Sequence, residues 1–280
     1  MFNKLSNSWN LVKASWQVLK ADKELIIFPI LSAVALIFVT ISFAVPMFFA
    51  GMLDAVALRN SDTLKYVLGF LFYFITYTVM IFSNTALVGA ALIRLRGGNP
   101  TVSDGFKIAF DHIAQILGYA LISATVGIIL RTFSERSGII GKIVIALINA
   151  AWNIATFLVV PILIVENIGP IDAIKRSANL LKKTWGEQLI GNFSIGIIFG
   201  FITIATVILA IPVFISVASL ESTFLIILTA VGFIMTLIMI ALISSTLSSI
   251  YEAAVYLYAV EGKTNGFFDD RLLKEAFRQK

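Results

Sequence analysis

Apolar positions run almost unbroken through six long stretches of this chain: Leu25 to Met52, Tyr66 to Ile93, Ile113 to Leu130, Ile143 to Val165, Leu189 to Val217 and Thr223 to Ser249. A helix needs roughly 20 residues to cross a hydrocarbon core about 30 Å thick, and each stretch approaches or exceeds that length. Continuous apolar runs predict helices; a transmembrane barrel shows alternating segments of about ten residues instead. The expected fold is therefore all-α and integral to a membrane, a single membrane domain of six spans. Several spans exceed the minimum and carry Pro46, Pro161 or Pro212, so tilts and kinks are expected there.

Between the long runs the period changes. In residues 2–20, Phe2, Leu5, Trp9, Val12, Trp16 and Leu19 recur at spacings of 3 and 4, one face of a helix with lysines on the others. Residues 101–112 repeat the design with Val102, Phe106 and Phe110, and residues 170–185 with Ile171, Ile174, Ala178, Leu181 and Trp185. Both begin on helix-start signals, Pro100-Thr101 with Asp104 and Gly169-Pro170 with Asp172. A fourth such helix is expected over 268–279. Tryptophan on an apolar face flanked by lysine predicts helices lying in the headgroup layer. Val12-Lys13-Ala14-Ser15, Phe106-Lys107-Ile108-Ala109, Ile174-Lys175-Arg176-Ser177 and Leu273-Lys274-Glu275-Ala276 share an apolar residue, a lysine, a variable position and a small residue. Their placement predicts a unit of amphipathic helix plus two spans used three times and closed by a fourth helix. A plainer reading is that every juxtamembrane helix needs an apolar stripe, a basic residue and small residues. On either reading Trp9, Lys13, Trp16, Lys107, Lys175, Arg176, Trp185 and Lys274 are the expected contacts to lipid, with anionic headgroups as partners.

Composition agrees: of 280 residues 59% are apolar and 13% charged, with a mean hydropathy of +0.96. A soluble domain needs far more polar surface. The net charge of +5 matters less than its distribution. With six spans, 16 Lys and Arg fall on the side of both termini and 5 on the other, so both termini are expected in the cytoplasm and the protein in the cytoplasmic membrane. Nucleic acid is not implied. The absence of cysteine excludes disulfides, thiolate nucleophiles and zinc–thiolate sites. The first twenty residues are amphipathic, unlike a cleaved signal peptide, and the first span is expected to stay as an anchor.

The segment Pro170-Ile-Asp-Ala-Ile-Lys-Arg-Ser-Ala-Asn-Leu-Leu-Lys-Lys-Thr-Trp185, following Val165-Glu166, resembles a motif of uncharacterised prokaryotic six-span membrane proteins. Those proteins look related to the membrane domain that precedes some glycerophosphodiester phosphodiesterases. The likeness is specific around Ile174 to Trp185 and weaker around Gly98 to Phe110. It implies a six-span bundle with interfacial helices and brings no activity, because the soluble catalytic domain of those relatives has no room in this chain.

Candidate chemistry is sparse. His112 beside Asp111, with Asp104 nearby, offers a conceivable acid–base or metal site of a lipid-modifying enzyme, but the spacing matches no ligand set, and a polar helix face at the headgroup layer explains it better. Asp269-Asp270 fits a helix cap before Arg271. Inside the spans, Asn149 and Asn153 project from one helix face, Asn84 lies within the second span, and Ser245 and Ser249 lie in the sixth. These polar groups either hydrogen-bond between helices, as is ordinary in bundles, or line a hydrated path. Lys142 and Glu252 are placed near span ends, where they can snorkel, which argues against strong ion coupling. Gly196-Ile-Ile-Phe-Gly200 permits close helix approach within the bundle or between copies in a homo-oligomer. No enzyme, metal or cofactor is expected. The first expectation is a protein that organises lipid or partners at the inner membrane surface, and the alternative is a homo-oligomeric channel or facilitator for small solutes or ions.

Overall fold

The computed structural model describes residues 2–52, 62–185, 194–262, 266–268 and 273. Among them every regular element is helical: α1 (Phe2–Ala21), a short 3-10 turn (Lys23–Ile26), α2 (Ile27–Met52), α3 (Asp62–Leu95), α4 (Val102–Asp111), α5 (Ile113–Arg136), α6 (Ile139–Ala155), α7 (Val159–Glu166), α8 (Pro170–Trp185), α9 (Ser194–Ala218) and α10 (Thr223–Glu261). Six helical stretches are long and apolar enough to cross a membrane: Lys23–Phe49, Tyr66–Leu95, Ile113–Arg136, Ile139–Glu166, Ile198–Ala218 and Thr223–Glu261. The start of the fifth expected span, most of the tail helix 268–279 with Lys274, and Asp269-Asp270 lie outside the described residues, as does the side chain of Trp185.

The spans outrun their expected ends where polar residues are absorbed into helix. The third continues past Leu130 through Arg131, which pairs with Glu135 at 2.7 Å one turn on. The sixth continues past Ser249 to Glu261 and stops at Gly262, whose φ of +70° is the left-handed cap that closes a helix without Cβ strain.

Burial is concentrated toward one end of the bundle, here called the base, which carries α1, α4 and α8. α3 is the central helix and packs against α2, α4, α5, α7 and α10. Its basal half buries Ala86, Leu87, Val88, Ala90, Ala91 and Leu92, while α10 buries Ala253, Ala254, Val255, Tyr256 and Leu257. Alanines at these positions let helix backbones approach closely where apolar surface alone gives no drive, since lipid is as apolar as leucine. Away from the base, large side chains such as Phe38, Phe48, Leu209 and Phe224 stand exposed, as lipid-facing surface should.

The basal helices dock on protein as well as facing outward. α1 packs on α9 and α10, burying Leu11, Val12, Ala14, Ser15, Val18 and Leu19. The expected stripe is rotated: Val12 and Leu19 are inside, whereas Trp9 and Trp16 are 48% and 38% exposed at its margin. The helix beneath requires small residues at the point of approach, and Ala14 and Ser15 supply them. α4 starts on a reciprocal cap, Thr101 Oγ1 accepting from the Asp104 N–H at 3.2 Å and Asp104 Oδ2 accepting from the Thr101 N–H at 2.9 Å. The Thr101 hydroxyl donating to Asp104 Oδ2 at 2.7 Å, then the Thr101 N–H and Lys107, hold the Asp104 carboxyl below its ordinary range. Gly105 of α4 lies so close to Ala86 and Phe28 that an added Cβ would stand 2.7 Å from the Ala86 carbonyl oxygen. Phe106 then inserts between Phe28 and Phe82, at ring separations of 5.3 and 6.1 Å. In α1, α4 and α8 alike, the lysine of the shared four-residue pattern (Lys13, Lys107, Lys175) is exposed and the small residue two positions on (Ser15, Ala109, Ser177) is buried. Phe268 and Leu273 of the tail join the same core.

Ion pairs tie the base together. Arg94 pairs with Asp22, Arg96 with Glu261 at 2.9 Å, and Arg176 with Glu166 at 3.0 Å. Arg176, expected at the lipid surface, is thus engaged by a carboxylate of the neighbouring span. Gly196 and Gly200 are exposed with nothing within 4 Å of an added Cβ, so within one chain their small-residue motif makes no helix contact.

Candidate functional site

The fourth span is broken. Pro161 has no N–H to give and its ring crowds the carbonyl four residues earlier, that of Phe157, which kinks or breaks a helix; here the helix breaks, whereas Pro46 and Pro212 lie inside the continuous helices α2 and α9. Thr156, Phe157 and Leu158 form turns between α6 and α7. The Leu158 N–H, freed by the break, donates to Ser177 Oγ at 3.0 Å, while the Trp152 carbonyl keeps its helical bond from the Thr156 N–H at 2.9 Å and accepts the Thr156 hydroxyl at 2.8 Å as well. Ser177 is fully buried, so the small residue of the α8 pattern closes the break from below. Irregular backbone at membrane depth is tolerated where protein buries it or where it lines a cavity. Both conditions hold here.

Beside the break lies a cavity of about 670 Å³ bounded by α2, α3, α5, α6, α7 and α10. All five polar residues expected to be informative inside the spans, Asn84, Asn149, Asn153, Ser245 and Ser249, line it. Helical period explains how each element presents its share. On α3, Tyr77, Ile81 and Asn84 follow one face; on α5, Tyr119, Ser123, Val126 and Leu130; on α6, Asn149, Asn153 and then Thr156. Gly127 of α5 makes room for Tyr77, whose hydroxyl would be 2.9 Å from an added Cβ.

The polar residues behave in two ways. Ser249 donates to Asn84 Oδ1 at 2.6 Å, and Asn84 Nδ2 donates to Glu252 Oε2 at 3.4 Å, a chain that joins α10 to α3. Asn149 and Asn153 are exposed into the space, and among the described residues their side chains have no hydrogen-bond partner. α6 buries none of its residues, which leaves the cavity wall on that side thin.

Glu252 overturns the expectation of a snorkelling residue at a span end. It is only 9% exposed and lies within α10, followed by the buried run Ala253 to Leu257. The sequence carried a signal: Glu252 continues the face of Leu242, Ser245 and Ser249 at helical spacing, with apolar residues on both sides. Among the described residues it is the one acidic or basic side chain lining the cavity, and it has no ion-pair partner there. The Asp104, Asp111 and His112 trio does not assemble a comparable site. Asp104 is committed to its cap, His112 Nδ1 is 2.8 Å from the Ile108 carbonyl oxygen, and among the described residues no three acidic, histidine or cysteine side chains gather to hold a metal.

These features define a class: a multi-pass helical membrane protein with a partly open, largely apolar cavity into which one chain places a carboxyl and several amides and hydroxyls. Residues 63–267 match the family of unknown function DUF6159, and the chain belongs to that family. The matched region contains every cavity residue except those contributed by α2. No curated protein matches the chain.

Proposed function

We propose that the protein is a non-enzymatic facilitator that takes a small solute or amphiphile into the cavity and lets it pass through or along the membrane. The observation that supports this reading is the state of Asn149 and Asn153. Amides retained for helix packing would be spent on hydrogen bonds to neighbouring helices, as Asn84 is, whereas these two face open space and keep donors and acceptors for a ligand. The volume falls in the range of small-molecule sites, about 300 to 1,000 Å³. One chain bounds the cavity, so the reading does not depend on a homo-oligomer, although the exposed Gly196 and Gly200 leave a face where a second copy can approach. The test is flux of a broad solute panel into proteoliposomes, comparing wild type with the double variant Asn149→Leu, Asn153→Leu. At least one solute should cross faster than in empty vesicles and slow about tenfold in the variant, the scale of one lost polar contact. Uptake equal to that of empty vesicles across the panel would sink the reading.

A second reading has its own support. Trp9 and Trp16 stay exposed beside the exposed Lys13, a combination suited to the interface of an anionic leaflet, where each basic residue contributes roughly 1 kcal/mol. In this reading the base organises lipid or partners on the cytoplasmic side, the side that the positive-inside count favours. The resemblance to membrane domains beside phosphodiester-cleaving enzymes sits well with a lipid setting. Replacing Trp9 and Trp16 with Glu should speed proteolysis of the N-terminal segment in liposomes while the spans stay inserted. Unchanged cleavage would count against it.

A further inference from the structure

We propose that the cavity recognises an organic ammonium group, with the Glu252 carboxylate as its counter-charge and Tyr77, Tyr119, Trp152 and Phe157 as its aromatic walls. The inference rests on the reading of the cavity as a ligand site and adds the chemistry of the ligand.

Three observations converge on positive charge. First, among the described residues the carboxyl of Glu252 is the one acidic or basic side chain on the lining, held by one long hydrogen bond from Asn84 and without a cationic partner. Without a cation beside it, a carboxyl withdrawn from water takes its neutral, protonated form; a bound cation favours the carboxylate, whereas a neutral or anionic ligand does not. Second, the break in the fourth span ends α6 at the cavity, where Thr156 is its cap. The carbonyl end of a helix carries partial negative charge, which favours a cation near it even where the carbonyls keep their own hydrogen bonds. Third, four aromatic residues from α3, α5, α6 and the break itself line the same space. Ring faces attract weakly hydrated organic cations, and aromatic cages are the recurrent solution for quaternary ammonium.

The same features argue against a compact metal ion. Such an ion needs several hard, mostly anionic oxygen ligands at close range, and among the described residues the lining offers one carboxylate beside neutral amides and hydroxyls, with no three acidic, histidine or cysteine side chains gathered. The amides of Asn149 and Asn153, contributed by α6 where Glu252 comes from α10, are available to a hydroxyl or ester attached to the ammonium. The ammonium belongs either to a free amine or to a lipid headgroup entering past the thin α6 wall.

The test uses three probes of nearly one shape: choline, its uncharged carbon analogue dimethylbutanol, and the anion dimethylbutanoate. Each is titrated calorimetrically into full-length protein in phosphatidylglycerol nanodiscs. Choline should bind about tenfold or more tighter than dimethylbutanol, with no heat from the anion. Glu252→Gln, nearly identical in shape, should bring choline down to the level of dimethylbutanol. Equal binding of choline and dimethylbutanol by the wild type, or a preference for the anion, overturns the ammonium inference while the ligand cavity stands; this comparison needs no variant to fold. Heat from none of the three overturns both. Adding phosphatidylethanolamine to the nanodiscs separates the sources: weaker choline binding supports a lipid headgroup as occupant, and unchanged binding supports a free amine.

Discussion

At the scale of single residues, small polar side chains decide whether the bundle closes. Ser177 is the clearest case, a hydroxyl two positions beyond an exposed lysine on an amphipathic helix, with nothing in its immediate neighbours to mark it. Its partner, the Leu158 N–H, exists as a free donor only because Pro161 interrupts the fourth span. Ser177→Ala leaves that N–H buried and unpaired, which should destabilise the protein by about 1 to 3 kcal/mol. A thermal melt in detergent, followed by circular dichroism, should show a lower midpoint; an unchanged midpoint would mean that the N–H has found another acceptor. Asn84 and Glu252 differ in how readable they were. Asn84 stood out as a polar residue within an apolar run, whereas Glu252 was hidden by the boundary drawn at Ser249, a fault of span length rather than of pattern.

At the scale of elements, the amphipathic helices are fixed by contacts that periodicity describes only in part. Period located α1, α4 and α8 and their exposed lysines, but the side turned to protein is chosen by where small residues permit approach. Gly105 is such a point: an added Cβ would meet the Ala86 carbonyl and the Phe28 ring. Gly105→Leu should lift α4 from α3, lower stability by about 1 to 3 kcal/mol through overpacking, and quicken tryptic cleavage after Lys107. Gly196→Ala, where nothing lies within 4 Å, serves as the matched control and should leave both measurements unchanged. Equal cleavage of the Gly105 variant and wild type would show that α4 is not seated as described.

At the scale of the whole molecule, function turns on which face meets which compartment. The base gathers α1, α4 and α8, and the distribution of basic residues argues that it faces the cytoplasm. Because the chain has no cysteine, single cysteines introduced at the exposed Ser103 and Ser219 report orientation without background. A membrane-impermeant maleimide should label Ser219→Cys from outside intact cells and Ser103→Cys only in inverted vesicles. The reverse pattern would place the base outside and reassign the direction of any flux.

The sequence by itself determined that this chain is helical, that six of its helices are long and apolar enough to cross a membrane, and which polar residues other than Glu252 lie within them, because hydrocarbon imposes one length and one periodicity on any chain that enters it. It also determined the start of α4, since a cap is a local event among Thr101, Asp104 and the backbone between them. Only the tertiary structure decided that Asn84, Asn149, Asn153, Ser245 and Ser249 face one space, and that Glu252 stands with them. Period gives the face a residue occupies on its own helix, not the rotation of that helix against its neighbours. That rotation is set by side chains far apart in sequence, the alanines of α3 and α10 and the break at Pro161, whose partner Ser177 lies on another helix.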